Sequence, residues 1–312
     1  MIEVIRYSAK YKTDWDAFVR NSRNGTFLFY RDYMDYHAHR FTDHSLLFYQ
    51  GGKLVALLPA NETGTEITSH GGLTYGGMLS DWRMKTEGML AMFVALRLYF
   101  KARGFQVLRY KAIPHIYHQA PAEEDLYALF RNGAQLYRRD VSAVIELANS
   151  LGSSSLRKRK LKQAPLLHLA HAQEAQSYRQ FMQLMQELLA TKYNVAPVHS
   201  PEEMIRLARQ FPANIKLYTA TVGAEMLAGI LLYETATVAH CQYIGTTARG
   251  REVAALDVLV NWLLTEVYAQ HRYFDFGIST EQQGQYLNSG LIRNKESYGA
   301  RAVVYDFYEM LF

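Results

Sequence analysis

Cysteine is nearly missing from this sequence of 312 residues. Cys241 stands alone, so no disulfide can form within the chain, which fits a reducing compartment. It lies in the apolar run VAHCQYIG, where it reads as a buried strand residue before a nucleophile. Long apolar runs are missing too. No stretch reaches the ~18 uninterrupted apolar residues of a membrane span, and the best one, MLAMFVALRLYF, is broken by Arg97. The opening MIEVIRYSAKYKTDWDAF has no apolar signal core. Together these absences predict a soluble, cytoplasmic protein without a transmembrane segment. Several catalytic signatures are absent as well. There is no G-K-[ST] phosphate loop, no H-E-x-x-H and no G-x-S-x-G elbow. His37, His39 and His44, and the pair His115 and His118, come without a carboxylate motif, so no metal is expected. Charge of one sign is not extreme. Lys and Arg exceed Asp and Glu by 34 to 29, a net +5 that leans mildly toward anionic partners such as CoA, nucleotide-linked sugars, tRNA or acidic membrane. No DNA partner is expected.

What is present is apolar and aromatic. Hydrophobic residues make up 49 %, with 23 Tyr and 15 Phe, enough for a substantial core. The length allows one large domain or two ordinary ones. The pattern favours two, because it repeats. Leu46–Tyr49, Gly51-Gly52 and Lys53–Ala60 read as a hairpin; so do Ile215–Thr221, Val222-Gly223 and Met226–Tyr233. Each is followed by a further strand-like run. An amphipathic helix comes next, over 86–102 in the first half and 254–270 in the second. Each helix leads into a short aromatic strand, Phe105–Tyr110 or Tyr273–Phe276. The hairpins and strands recur at nearly the same offset, which argues for a tandem α/β unit. The expected division is an N-terminal domain over 1–150, a basic linker over 151–165 and a C-terminal domain over 166–312. In the linker, Gly and Ser supply flexibility and Pro165 closes it. Its run Arg157–Lys160, RKRK, reads either as a solvated helix face or as an anion contact. Phe181, Leu184, Met185, Leu188 and Leu189 form a helical apolar stripe, read as core.

Three stretches gather chemistry-bearing residues. The first is Gly245-Thr246-Thr247-Ala248-Arg249-Gly250-Arg251, between a strand and a helix start. Gly with cations at such a junction makes either a phosphate site, through free N–H groups and the helix dipole, or a cationic surface turn. Gly245, Thr246, Arg249, Gly250 and Arg251 are the residues that would hold the phosphates. The second is the strand FDFG ending at Gly277 and the polar loop beyond it, with Asn288, Gly290, Lys295 and Tyr298. Asp275 there reads as a base or orienting acid, or as a hydrogen-bonded structural acid. His240 and Tyr243 on the preceding strand are further proton-handling candidates. The third is Ser69-His70-Gly71-Gly72-Leu73-Thr74-Tyr75-Gly76-Gly77. Its glycines permit either close backbone approach to a ligand, with His70 and Tyr75 as contacts, or a structural bulge.

The second stretch resembles a known family. A strand ending in D-F-G, then Asn288, then Gly290-Leu291, then Lys295 before Tyr298-Gly299 is similar to the C-terminal signature of Fem-type acyl and aminoacyl transferases of the GNAT superfamily. Asn294 and Tyr298 stand where that signature has Phe. The resemblance implies an α/β (α+β) fold of two tandem GNAT-like domains, each a mixed, mostly antiparallel sheet flanked by helices. It implies an acyltransferase that takes acyl-CoA or acetyl-CoA as donor and an amine or hydroxyl acceptor, such as a cell-envelope or polysaccharide precursor. Lys295, or a backbone N–H where strands splay, would polarise the acyl carbonyl. Asp275, His240 or Tyr243 would handle the proton. Tyr75, His70, Asn288 and Tyr298 would meet the acceptor in a cleft between the halves. In GNAT enzymes the loop equivalent to 245–251 follows a Q/R-x-x-G-x-G/A pattern, from which the adjacent Arg249-Gly250 departs. The family also implies an alternative, an aminoacyl-tRNA donor, although the long charged helical hairpin of the tRNA-dependent members is missing. A non-catalytic binding relative of the fold is the remaining alternative.

Overall fold

The computed structural model describes residues 2–312, apart from the side chains of residues 192 and 193. The chain begins with β1 (Ile2–Arg6), α1 (Lys12–Asn21), α2 (Arg31–Met34), β2 (Thr42–Asp43), β3 (Leu46–Gln50), β4 (Lys53–Leu58), β5 (Asn61–Thr63), β6 (Glu66–Thr68) and β7 (Leu79–Ser80). It continues with α3 (Thr86–Lys101), β8 (Val107–Lys111), α4 (Glu124–Arg131), β9 (Gln135–Glu146), α5 (Ser155–Gln163), β10 (His168–Ala172), α6 (Ala175–Tyr193) and α7 (Pro201–Gln210). Then come β11 (Ile215–Val222), β12 (Glu225–Glu234), β13 (Val238–Thr246), α8 (Ala248–Glu252), α9 (Ala255–Trp262) and β14 (Tyr273–Ile278). The last are β15 (Thr280–Glu281), β16 (Tyr286–Leu287), α10 (Ser289–Glu296) and β17 (Arg301–Leu311). Two compact units result: Met1–Val141 with Thr280–Leu287 and Val303–Phe312, and Ser142–Ser279 with Asn288–Ala302.

In the first unit, β1, β3, β4 and β7 form an antiparallel sheet in that order. The β3–β4 turn falls at Gly51-Gly52, both at positive φ, as a tight hairpin turn requires. The strands β17, β8, β6, β5 and β2 follow one another in a second sheet region, with β6 and β8 parallel. The α3 helix buries Met89, Met92, Phe93, Leu96 and Phe100, a spacing that puts all five on one face. They meet Leu46, Phe48, Leu58 and Leu108 in a core that also takes Ala128 and Leu129 of α4. Each buried Leu, Met or Phe there contributes roughly 1.5–3 kcal/mol by leaving water.

The second unit holds the strands β10, β11, β12, β13, β14 and the end of β9, in that order. All neighbours are antiparallel except β13 and β14. Leu227 to Tyr233 on β12 are buried without alternation, as in a strand covered on both faces. Gly229 makes room on that strand, since a Cβ there would sit 2.5 Å from the Phe181 ring of α6. The α7 helix opens with a capping box of Ser200 and Glu203 behind Pro201. The helix expected over 254–270 is interrupted: α9 ends at Trp262 and a π-helical turn, Leu263–Val267, follows.

The order strand, two helices, hairpin, helix, strand, helix, strand recurs along the chain. The residues expected as a basic linker contain α5, capped by the Ser154 hydroxyl, and Arg157 on it is buried. One cation of this strongly basic helix becomes an anchor because a buried acid awaits it, as described next.

Candidate active site

The parallel strands β13 and β14 pair only at Val238–Tyr273, Ala239–Phe274 and His240–Asp275. Beyond that point β13 runs on against β12 alone, with a bulge that makes Gln242 an extra residue. The two strands therefore part at His240 and Asp275. Asp275 is fully buried. A buried carboxylate persists only with partners, and Ser142, Gly277 and His240 are among those of Asp275. Its Oδ1 accepts from Ser142 Oγ and, at 2.8 Å, from the Gly277 N–H; its Oδ2 lies 2.9 Å from His240 Nδ1. A hydrogen on Nδ1 makes Nε2 the basic nitrogen of the ring. Gly277 needs no side chain because its φ is +77°.

Lys295 on α10 is also buried, and its Nζ donates to the carbonyls of Gly277 and Ile278, each at 2.7 Å. Burial pushes its pKa down to about 8, against the opposing pull of Asp275. The ammonium thus holds the end of β14 through backbone oxygens. Asn288 caps α10, its Oδ1 accepting from the Leu291 N–H at 3.0 Å. Tyr298 is buried, stacked on Phe276 at 5.2 Å, and burial raises its phenol well above the usual range. Tyr243 pairs through its hydroxyl with His199 Nδ1 at 2.9 Å, and burial raises its pKa.

A cavity of about 360 Å³ lies at the far end of β13, lined by Thr246, Gly250, Arg251, Asp257, Arg157 and Lys160 among others. Arg157 is pinned from four sides. Its guanidinium donates to Asp257, to Ser297 Oγ at 2.6 Å and to the Asn294 carbonyl at 2.9 Å, and lies 3.4 Å from the Tyr298 ring centroid. Asp257 answers that charge. Lys160 and Arg251 have no such ion-pair partner among the described residues, so the cavity keeps a positive balance.

The loop expected to grip phosphate divides. Thr246, Gly250 and Arg251 line the cavity; Arg249 instead pairs with Glu225, and Gly245 packs beneath Met185 and Leu184 of α6. The turn is tighter than expected because Thr247 caps α8, accepting from the Gly250 N–H at 2.9 Å. Gly250 is required there, since a Cβ would come within 2.1 Å of the Leu227 carbonyl. Among the described residues no three potential metal ligands come together. His70 and Tyr75 sit in the first unit, both buried. His70 has φ +52° and burial drives its pKa down to about 3, while Tyr75 donates to Thr26 Oγ1 at 3.2 Å and packs on Tyr117.

Ser142, His199 and Asp257 escaped the sequence reading, whereas Lys160 belongs to the run read there as a solvated face or an anion contact. Asp257 alone left a signal, as a single acid in the apolar run AALDVLVNW that predicts a buried cationic partner.

Residues 154–286 match the family model described as an acetyltransferase (GNAT) domain. No curated protein matches the sequence. Among solved structures, FemX is similar over 97 % of this chain and 96 % of its own, with a TM-score of 0.67 and 10 % identity. The C-terminal domain of a putative lysylphosphatidylglycerol synthetase from Agrobacterium fabrum gives 0.61 at 11 % identity, covering 97 % and 92 %. The L-PGS structure from Bacillus licheniformis gives 0.59 at 11 % identity, covering 96 % and 91 %. The chain has a Fem-like GNAT fold, and the segment matched by the GNAT acetyltransferase domain includes both parting strands and the cations that line the cavity.

Proposed function

We propose that the second unit transfers an acyl group from a CoA thioester to an amine or hydroxyl acceptor. The observation that carries this reading is the fork of β13 and β14, with His240 and Asp275 at its vertex and the cationic cavity at the end of β13. From His240 to Thr246 the strand advances about 20 Å, comparable to an extended pantetheine arm between thioester and pyrophosphate. Lys160, Arg251 and Thr246 would hold the phosphates, and the thioester would lie in the fork. The acceptor's lone pair attacks the carbonyl carbon while His240 Nε2 takes its proton, with Asp275 fixing the ring. The oxyanion is held by backbone N–H groups of β13 that β14 no longer covers. The C–S bond then breaks, and the departing thiolate takes the proton that His240 Nε2 accepted. Lys295 keeps the β14 end in shape and adds positive charge.

A second reading, an aminoacyl-tRNA donor, draws on the full-length likeness to FemX and on the exposed Lys158 and Arg159 of α5. Calorimetric titration with CoA and acetyl-CoA separates the two. Micromolar binding that is lost in Lys160→Ala/Arg251→Ala, together with turnover lost but binding kept in His240→Ala, supports the thioester reading. Absence of CoA binding with binding of charged tRNA replaces it by the second. Binding of neither sinks both.

A further inference from the structure

The first unit presents a face that the proposed chemistry does not use. The α3 and α4 helices pack on each other and send their buried side chains into one core, so their outer faces point away from it together. Those outer faces are not polar. Val94 and Leu98 on α3 are 55 % and 65 % exposed, Tyr127 and Phe130 on α4 are 44 % and 74 % exposed, and Trp82, just before α3, is 59 % exposed. A patch of this kind, rimmed by charge, marks an interaction surface. The rim is cationic: Arg83, Lys85, Lys101, Arg103 and Arg131 are exposed and form no ion pair among the described residues, against Asp81, Glu87 and Glu123. A cavity of about 750 Å³ opens at the start of α3, where Lys53, Arg83 and Lys85, outnumbering Asp81 and Glu87 on the same wall, stand beside Leu54, Val55 and Met84.

We propose that this face docks on an anionic phospholipid surface. The apolar side chains would enter the headgroup boundary, with Trp82 at the depth its amphipathic ring prefers. The cations would meet lipid phosphates, with Lys53, Arg83 and Lys85 around a single headgroup. Arg103 and Arg131 lie over the rings of Tyr99 and Tyr127 yet meet no carboxylate among the described residues, and a partner protein with an apolar face would not call for five cations without a counter-charge around it. No helix of the described residues is long and apolar enough to cross a membrane, so the contact lies on the surface.

The test is co-sedimentation of the full chain with phosphatidylcholine vesicles, with and without phosphatidylglycerol. The chain is expected to pellet with the anionic vesicles and not with the neutral ones. Trp82→Ala/Leu98→Glu should lower the partition about tenfold, and each of Arg83→Glu and Lys85→Glu at least about fivefold, less so in high salt. Leu166→Glu, at a residue 99 % exposed in the second unit, should change nothing. Unaltered circular dichroism of each variant keeps the comparison valid, because every substituted side chain is exposed. No pelleting, equal pelleting with neutral vesicles, or variants that pellet like the parent overturn the proposal. So does a dimer in sedimentation velocity that Leu98→Glu dissociates while vesicle binding persists.

Discussion

Replacing Arg157 by Met is the sharpest test of how the cationic cavity is built. The Arg157 side chain is 8 % exposed and that of Asp257 11 %, so the pair is desolvated. Removing one member of a buried pair leaves the other charge uncompensated, which costs about 3–5 kcal/mol. Here only the Tyr298 hydroxyl, at 3.4 Å, would remain on Asp257 Oδ1. The loss of the guanidinium from the Tyr298 ring adds up to about 2 kcal/mol. With a urea m-value of about 2 kcal/mol/M, the unfolding midpoint of the second unit should fall by about 2 M. Arg157→Lys should lie between, because one ammonium cannot serve Asp257, Ser297 and Asn294 at once. Arg157→Met/Asp257→Leu should be less damaged than the sum of the single changes, since no charge is then stranded. The assay is urea unfolding of the full chain followed by circular dichroism. A loss under about 1 kcal/mol for Arg157→Met, typical of a surface pair, would refute the argument and return α5 to a solvated basic run.

Other outcomes follow from the same geometry. Gly250→Ala places a Cβ 2.1 Å from the Leu227 carbonyl, so α8 must shift; a loss of about 1–3 kcal/mol and of CoA affinity is expected by urea unfolding and calorimetry. Ser142→Ala removes a donor from Asp275 and should lower kcat more than it changes KM, with about 1–3 kcal/mol less stability. Burial lifts Asp125, hydrogen-bonded to Tyr110, to about 6 from 3.8, so the folded state binds the extra proton. Stability therefore falls by about 3 kcal/mol as pH rises from about 4 to about 6, and Asp125→Asn should remove that fall in urea midpoints taken across the range. Lys295, lowered to about 8 from 10.5, gives the reverse in the alkaline range: stability rises by about 3 kcal/mol between about pH 8 and 10.5, and Lys295→Met should flatten the rise.

Elements with local signals were legible. Gly51-Gly52 and Val222-Gly223 announce their hairpins because only a few residue types tolerate the turn, and α3 follows from its apolar spacing. What escaped depends on distant partners. The α5 helix has no apolar stripe to give it away, since its buried residue is a cation whose acid lies a hundred positions along the chain. Asp275 and His240 were singled out separately, but their contact exists only because β13 and β14 pair in that register. Lys295 was singled out by its motif, whereas its partners are backbone carbonyls that no side-chain pattern records.

The repeat itself bears on where the chemistry lies. In the first unit the parallel pair is β6 and β8, and its last register partners are Thr68 and Arg109, standing where the second unit has His240 and Asp275. Arg109 is tied to Glu66 and Glu309 in a partly exposed ion-pair cluster, which leaves no acid to orient a base. Beyond that point the strands do not open onto a gap. The Gly-rich segment fills it: the Ser69 N–H bonds to the Arg109 carbonyl, the Gly76 N–H to the Lys111 carbonyl, and Lys111 Nζ to the carbonyls of His70 and Leu73. A Cβ at Gly76 would fall 1.8 Å from the Ser69 carbonyl, so glycine there serves this closure. Two copies of one strand pattern thus meet the same backbone requirement in opposite ways. One occupies its fork with its own chain, and the other leaves the vertex to a histidine and a carboxylate, so the proposed thioester chemistry is assigned to the second unit.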